Sequence, residues 1–310
     1  MVRPMRVLAT GLLLAVSGLV LATSARASLA WPAHYSAPYL QITRSDAGDM
    51  TADMRTTGDR FYSLAFLTPS ARHGCVPLWE DNADPLGTFV GPVSALQSAG
   101  GNVIISFGGA SGGELAITCR SVSRLESAYA KVISSYHVNR LDFDIEGRYL
   151  NNATANARRD KALTELQRVH PGLAMDYTLP VNPAGMPSNA LALLRDARKR
   201  GVRVNLVNIM TMDFGNGQNV LADAESAARL SALQLANLYG IPIPAAYARM
   251  GLTPIAGHND DNEFFSRSDA RKLESFAARY GVQQLAFWEL DQYDKPLGYA
   301  YSKIFQRITS

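Results

Sequence analysis

The sequence is poor in cysteine and in clustered charge. Its 310 residues contain only two cysteines, Cys75 and Cys119, which form no CxxC pair and give structural zinc no support. The 30 basic and 27 acidic residues are scattered along the chain, so the formal net charge of +3 comes without basic blocks. Surfaces that follow a phosphate backbone need such blocks. Nucleic acid is therefore not an expected partner.

Residues 1–27 differ from the rest of the chain. Two arginines precede an apolar run at residues 7–22, and residues 25–27 read Ala-Arg-Ala, with small residues where a signal peptidase cuts. The run is shorter than the ~20 residues that cross a bilayer, which favours a cleaved signal peptide over a membrane anchor. We expect a secreted protein, extracellular or periplasmic, without stable membrane association once the signal is removed.

Residues 28–310 lack a Ser/Gly-rich linker, a repeat and a low-complexity tract, which predicts one domain and no appended carbohydrate-binding module. Eight runs with strand character alternate with segments of helical spacing. The strand-like runs are residues 37–42, 61–67, 102–107, 140–145, 174–179, 204–212, 249–255 and 284–288. The helical segments include residues 121–136, 158–169, 189–200, 222–238 and 268–280.

This alternation predicts a parallel sheet, and eight strand–helix units predict closure into a (β/α)8 TIM barrel, for which ~250 residues is typical. A doubly wound open sheet is the alternative fold. However, no glycine-rich phosphate-binding motif follows the first strand-like run. Polar and aromatic residues instead collect at the carboxyl ends of the runs, where barrels build their active sites.

The run around residues 139–147 reads Asn-Arg-Leu-Asp-Phe-Asp-Ile-Glu-Gly. Asp142, Asp144 and Glu146 are spaced by two, so on a strand they point to one side, and we expect that side to face the barrel interior. Three carboxyl groups in one lumen repel each other and lose hydration, so at least one should hold a proton near neutral pH. An acidic solvent face and a divalent-metal cluster are the alternatives, and we expect neither a metal nor a cofactor.

The acidic run resembles the DxxDxDxE motif on the fourth strand of the family-18 glycoside hydrolases, with Asn139 in place of the first aspartate. The resemblance implies that Glu146 protonates the glycosidic oxygen. It also implies that Asp144 orients the N-acetyl group of the substrate, whose carbonyl oxygen attacks the anomeric carbon, while Asp142 shares a proton with Asp144. This family needs no second carboxylate nucleophile.

Other segments are similar to family motifs in the same order along the chain. Residues 106–109 resemble the SxGG signature, in which glycines allow a close approach of the backbone. Residues 210–213 resemble the MxYD segment, but Met212 replaces the tyrosine that would bind the N-acetyl oxygen, and Tyr177 is a candidate substitute. The resemblance implies a binding site formed by Trp288, Asp213, Met210, Met212, Tyr39, Gly108, Gly109, Tyr177 and Asn259.

Simpler interpretations remain for some of these residues, because methionine and tryptophan are also common core residues. The resemblance places Cys75 and Cys119 in neighbouring loops on one face of the barrel, so we expect a disulfide in an exported protein. Two unpaired thiols are the alternative.

The expected protein is a secreted, monomeric chitinase that hydrolyses β-1,4 bonds of chitin or N-acetylglucosamine oligosaccharides with retention of configuration. Two alternatives remain open. One is an endo-β-N-acetylglucosaminidase that acts on other N-acetylglucosamine glycans. The other is a chitinase-like lectin that binds chitin without cleaving it, although such proteins commonly lack the glutamate that Glu146 provides.

Overall fold

The computed structural model describes residues 30–46, 49–80, 83–217 and 219–309, together with Met1. The predicted signal peptide, residues 1–27, lies outside the described residues apart from Met1. In the described part of the chain, no helix combines the length and the apolar character that a membrane span requires.

Eight parallel strands form the centre of the fold, at the eight places that the sequence predicts. We number them β1 (Tyr35–Ser36 and Tyr39–Gln41), β2 (Phe61–Pro69), β3 (Asn102–Gly108), β4 (Arg140–Asp144), β5 (Ala174–Pro180), β6 (Val204–Met210), β7 (Met250–Thr253) and β8 (Gln284–Leu285). From β2 to β8 each strand pairs in parallel with the next. The first piece of β1 pairs with β8 and the second with β2, so the ladder returns to its starting segment. The predicted barrel is confirmed.

Helices cover the outside of the strands. Their bounds are α1 (Met50–Thr57), α2 (Val90–Ser98), α3 (Val122–Tyr136), α4 (Ala153–Val169), α5 (Ser188–Lys199), α6 (Val220–Tyr239), α7 (Arg267–Tyr280) and α8 (Ser302–Phe305). The sequence sets several of these ends. A capping box between Ser266 and Asp269 starts α7, and Gly281 ends it in the left-handed conformation. Helix α4 begins before the predicted residue 158 because the Asn152 side chain caps it, accepting from the Ala155 amide at 3.0 Å.

The two faces of β4 have different surroundings. Leu141, Phe143 and Ile145 are buried in the large apolar cluster that also contains the inner faces of α3 and α4. The ring of Phe143 stacks on that of Phe107 with centroids 5.3 Å apart. Burial of one such ring contributes about 1.5–3 kcal/mol to stability. This packing fixes the direction of β4, so that its alternate residues point into the barrel.

A disulfide joins two loops at the carboxyl ends of the strands. Cys75, after β2, is bonded to Cys119, after β3, with Cα atoms 4.6 Å apart, which confirms the expected pairing. The adjacent backbones are in close contact: the Thr118 hydroxyl donates to the Gly74 carbonyl at 2.8 Å. The first of these loops also includes an antiparallel strand, Pro77–Trp79, that pairs with the end of β2.

Candidate active site

A cleft of about 210 Å³ opens at the carboxyl ends of the barrel strands. Because the side chains come from the ends of several strands, residues that are far apart in the sequence meet there. Seven of the residues predicted from the sequence line it: Tyr39, Asp144, Glu146, Met210, Met212, Asp213 and Trp288.

Aromatic rings form one wall of the cleft. Trp288 is half-buried and stacks on Phe66, with ring centroids 5.6 Å apart and planes inclined by 10°. The ring of Tyr39 lies 6.1 Å from each of them. This wall offers a flat apolar surface to a ligand, and Phe66 is a part of it that the sequence motifs did not identify.

Asp142 lies below the floor of the cleft, and its carboxyl group accepts hydrogen bonds from hydroxyl groups. Its Oδ2 accepts from Ser106 Oγ at 2.6 Å and from the Tyr39 hydroxyl at 3.1 Å, while its Oδ1 accepts from Thr178 Oγ1 at 2.9 Å. Burial raises the pKa of Asp142 to about 7; the charge of Asp176 adds to the rise, and the three hydroxyl donors oppose it.

Asp144 and Glu146 form an interacting pair on the cleft floor. Burial raises the pKa of Asp144 well above its usual range, and the negative charges of Glu146 and Asp142 raise it further. Burial also raises the pKa of Glu146, as do the charges of Asp213 and Glu80, while a hydrogen bond with Asp144 lowers it. The raised pKa values favour the protonated forms of both acids, and the two carboxyl groups are joined by a hydrogen bond. The Oδ1 atom of Asp144 is buried and has no hydrogen-bond partner among the described residues.

Asp213 follows β6 and has a left-handed backbone with φ of 49°, a conformation that aspartate tolerates better than most residues. Its Oδ1 accepts from the backbone amide of Asp260 at 2.8 Å, which joins the loops after β6 and β7. Asp260 itself lines the cleft, as does the nearby Met212, which replaces the expected tyrosine with an apolar side chain.

The expectation that Tyr177 replaces this tyrosine is wrong. Tyr177 pairs with Phe143 across the β4–β5 ladder and therefore shares its outward direction. Its hydroxyl donates to Asp160 Oδ1 of α4 at 2.7 Å, behind the barrel wall. The next residue on β5, Thr178, points inward and lines the cleft instead.

Asn259 was also expected to bind substrate. It is largely buried in the loop after β7, and its backbone amide donates to the Glu263 carbonyl at 3.1 Å. The neighbouring residue, Asp260, lines the cleft, whereas Asn259 is not among the described lining residues. The residue of this loop that lines the cleft is therefore Asp260, one position after Asn259.

Gly108 and Gly109 contribute to the site because they have no Cβ atom. Gly108 has φ of 109°, and a Cβ atom there would lie 2.0 Å from the backbone oxygen of Asp144. A Cβ atom on Gly109 would lie 2.7 Å from the ring of Phe66. Both distances are far below van der Waals contact, so the two glycines allow the acidic strand and the aromatic wall to pack closely against β3.

Comparisons with known proteins agree with this geometry. No protein-family model matches the chain. The chain is 32% identical over 304 residues to the Escherichia coli K12 protein named "Probable bifunctional chitinase/lysozyme", which covers 90% of this chain and 33% of that protein. It is 32% identical over 285 residues to Endochitinase 11 of Metarhizium anisopliae, covering 84% and 53% respectively. The chain thus spans about a third to a half of these curated relatives.

Among solved structures, the catalytic domain of the hyperthermophilic chitinase from Pyrococcus furiosus matches with a TM-score of 0.83 and 31% identity, over 91% of this chain and 96% of that one. A GH18 chitinase from Pseudoalteromonas aurantia matches with a TM-score of 0.64 at 12% identity, over 88% and 99%, which shows the shared fold alone.

A barrel with a row of inward carboxyl groups below an aromatic-walled cleft is the architecture of a barrel glycosidase. The extent and level of identity to the Pyrococcus furiosus catalytic domain make the assignment more specific. The chain belongs to glycoside hydrolase family 18, as a chitinase-like domain.

Proposed function

We propose that this protein hydrolyses β-1,4 bonds between N-acetylglucosamine units of chitin or its oligomers, with retention of configuration. The observation that carries the proposal is the Asp144–Glu146 pair on the floor of a cleft walled by Trp288. Its relatives named chitinase and endochitinase support the choice of substrate.

In the proposed reaction, a sugar ring lies on Trp288 and its acetamido group points down toward Asp144. The acetamido N–H donates to the carboxyl group of Asp144, which lines the cleft. Glu146, whose pKa is raised by burial and by neighbouring acids, gives its proton to the glycosidic oxygen. The acetamido oxygen bonds to the anomeric carbon as the bond to the leaving sugar breaks.

The second half of the reaction reverses these roles. Glu146, now ionised, takes a proton from water as that water attacks the anomeric carbon, and the bond to the acetamido oxygen breaks. Two displacements at one carbon retain its configuration. The positive charge of the cyclic intermediate lies beside Asp144, which can stabilise it by giving up its own proton to Asp142.

Replacement of the acid provides the test. Glu146→Gln keeps the shape of the side chain and removes the transferable proton, so hydrolysis of N-acetylglucosamine oligomers should fall by about 100- to 10,000-fold. Glu165→Gln, on the exposed surface of α4, is the matched control and should retain parental activity. Equal activity of Glu146→Gln and the parent would contradict the proposal.

The substrate is tested by product analysis. Mass spectrometry of digests of a ladder of chitin oligomers should show shortened oligomers, with the β-anomer formed first. Peptidoglycan is the comparison substrate, because the name of one relative includes lysozyme. If only peptidoglycan released fragments, peptidoglycan would replace chitin as the proposed substrate. If both polymers bound but neither gave products, the protein would be a lectin.

We also propose that the protein is exported and acts as a monomer. The Cys75–Cys119 disulfide supports export, since disulfides persist in oxidising compartments. The amino-terminal residue of protein recovered outside the cytoplasm should be Ser28, and light scattering should give the mass of one chain. An intact amino-terminal segment or a dimer mass would contradict these proposals.

A further inference from the structure

A layer of uncharged polar side chains crosses the barrel lumen beneath the cleft. It runs from Thr253 on β7 through Asn208 on β6 to Thr178 on β5 and Tyr39 on β1, and it ends on Asp142. All five residues are at most 3% exposed. Thr253, Thr178 and Tyr39 also border the cleft, but so little of each residue is exposed that the polar groups of the layer are satisfied chiefly by one another.

The hydrogen count identifies Asn208 as the donor that completes the layer. The hydroxyls of Tyr39 and Thr178 have one hydrogen each, yet both contact Asp142, at 3.1 Å and 2.9 Å, and their oxygens lie 2.8 Å apart. If both donate to Asp142, the two oxygens face each other with no hydrogen between them. Asn208 Nδ2 lies 3.1 Å from Thr178 Oγ1 and 3.3 Å from the Tyr39 oxygen, so its two hydrogens can serve both.

Two residues on β7 determine the orientation of the Asn208 amide. The Thr253 hydroxyl donates to Asn208 Oδ1 at 2.8 Å, which turns the nitrogen of the amide toward Thr178 and Tyr39. The Oδ1 atom also occupies the space that a side chain at position 251 would need, because a Cβ atom on Gly251 would lie 2.6 Å from it. Any other residue at position 251 would displace the amide.

We propose that Asn208 is a positioning residue that directs the hydroxyl hydrogens of Tyr39 and Thr178 onto Asp142, with its amide held by Thr253 and accommodated by Gly251. The inference rests on the proposed function, since it explains how Asp142 is kept ready to receive the proton of Asp144. Hydroxyl donors stabilise the carboxylate form of Asp142. Its negative charge in turn favours the protonated form of Asp144.

Loss of the amide hydrogens should make Asp142 easier to protonate. One hydroxyl would then donate to the other rather than to Asp142, and a carboxylate that loses a donor binds a proton more tightly. Substitutions at positions 208 and 253 with neutral residues leave the charged and titratable groups around Asp142 unchanged. These groups are Tyr35 and Tyr39 on β1, Arg140 and Asp144 on β4, and Asp176 on β5.

The test is a carbon-13 NMR titration of the Asp142 carboxyl group in the full chain, with its signal assigned by its loss in Asp142→Asn. Thr253→Val keeps the shape of the side chain and removes the hydroxyl, whereas Thr253→Ser keeps the hydroxyl. The titration midpoint should rise by about one pH unit in Thr253→Val, the effect of losing one hydrogen bond to a charged group. It should stay at the parental value in Thr253→Ser. Asn208→Leu should shift it at least as far as Thr253→Val.

Unchanged midpoints in Thr253→Val and Asn208→Leu would overturn the inference, and so would equal shifts in the valine and serine variants. If Thr253→Val fails to fold, Asn208→Leu against the parent gives the same comparison. The titration needs no hydrolysis. A parent that fails to cleave chitin oligomers but titrates as expected contradicts only the proposed function, and an active parent with unchanged midpoints in the variants contradicts only the role of Asn208.

Discussion

Two groups of buried acids lie on opposite sides of the barrel wall at β4 and β5. Asp142 and Asp144 point into the lumen, and Glu114 and Asp160 lie behind the wall, among α3, α4 and the segment after β3. The outer group contains a cation: Arg159 Nη1 lies 3.5 Å from Glu114 Oε2, and its guanidinium packs over the ring of Tyr177 at 5.2 Å. Among the described ion pairs, none includes Asp142 or Asp144.

This difference separates two uses of a buried carboxyl group. Burial raises the pKa of Glu114 and takes that of Asp160 to about 6, and in both cases the Arg159 guanidinium opposes the rise. Such a cation favours the ionised form of the neighbouring carboxyl groups. These fixed charges can hold helices to strands. Asp142 accepts from hydroxyl donors and Asp144 faces Glu146, so their protons can move between neighbouring groups. A labile proton is what an acid catalyst needs.

The largest expected effect is a loss of kcat when an acid that faces the lumen is replaced. Asp144→Asn removes the acid that would hold the acetamido group and stabilise the intermediate, so kcat should fall by about 100- to 1000-fold. Asp160→Asn makes the same change in the outer group and should leave kcat near the parental value. Steady-state kinetics on one oligomer measures both. Equal losses in the two variants would show that the comparison is wrong.

Removal of the outer cation should affect stability rather than catalysis. Arg159→Met keeps much of the side-chain volume but leaves Glu114 and Asp160 buried without it, so the free energy of unfolding should fall by about 3 kcal/mol. The kcat of the folded fraction should change little. Urea denaturation provides the measurement, with the exposed Arg168→Met as a control that should match the parent. A large loss of kcat with unchanged stability would contradict this assignment.

The inner group should also make stability depend on pH. The pKa of Asp142 is about 7 in the fold, above the usual value of 3.8, so the folded state binds its proton more tightly than the unfolded state. This contribution is fully present below pH 3.8 and is lost as pH rises through 7. Relative to the parent, Asp142→Asn should therefore gain about 4 kcal/mol between pH 4 and pH 8. If the difference in unfolding free energy between Asp142→Asn and the parent stayed constant with pH, the raised pKa of Asp142 would be contradicted.

The smallest expected effect compares two tyrosines. Tyr177→Phe removes one buried hydrogen bond to Asp160 and should lower stability by about 1 kcal/mol with kcat unchanged. Tyr39→Phe removes a donor to Asp142 and should lower kcat by about tenfold, the effect of one hydrogen bond to a carboxylate. Thermal unfolding and kinetics on both variants are the measurements. A loss of kcat in Tyr177→Phe with unchanged kcat in Tyr39→Phe would place Tyr177 in the active site.

The sequence alone predicts which side chains face the lumen where apolar and acidic residues alternate along a strand. On β4, apolar and acidic residues alternate, so burial of Phe143 requires Asp142 and Asp144 to face the lumen. The error at Tyr177 arose although β5 also alternates, with Tyr177 among its apolar residues, because the expectation followed from the missing tyrosine of the family motif and not from this alternation. Its direction follows from the ladder, in which Phe143 pairs with Tyr177 and Asp144 with Thr178.

The remaining site residues had no sequence signal of their own. Asn208 and Thr253 belong to no motif in their largely apolar strands, and Phe66 resembles any buried aromatic residue. Their roles depend on which strands become neighbours, since β6 and β7 approach β1 only across the lumen. A motif can identify the acids of a site, whereas the neutral groups that orient those acids become visible only with the tertiary structure.

Gly108 limits how the protein can vary. Its missing Cβ atom would lie 2.0 Å from a backbone oxygen of Asp144, which cannot move aside as a flexible side chain can. In a library of single substitutions, this position should reject alanine as firmly as it rejects tryptophan, although Gly108 has no side chain with which to hold a ligand. Tolerance at this position thus depends on the spacing between two strands and not on the chemistry of the replaced group.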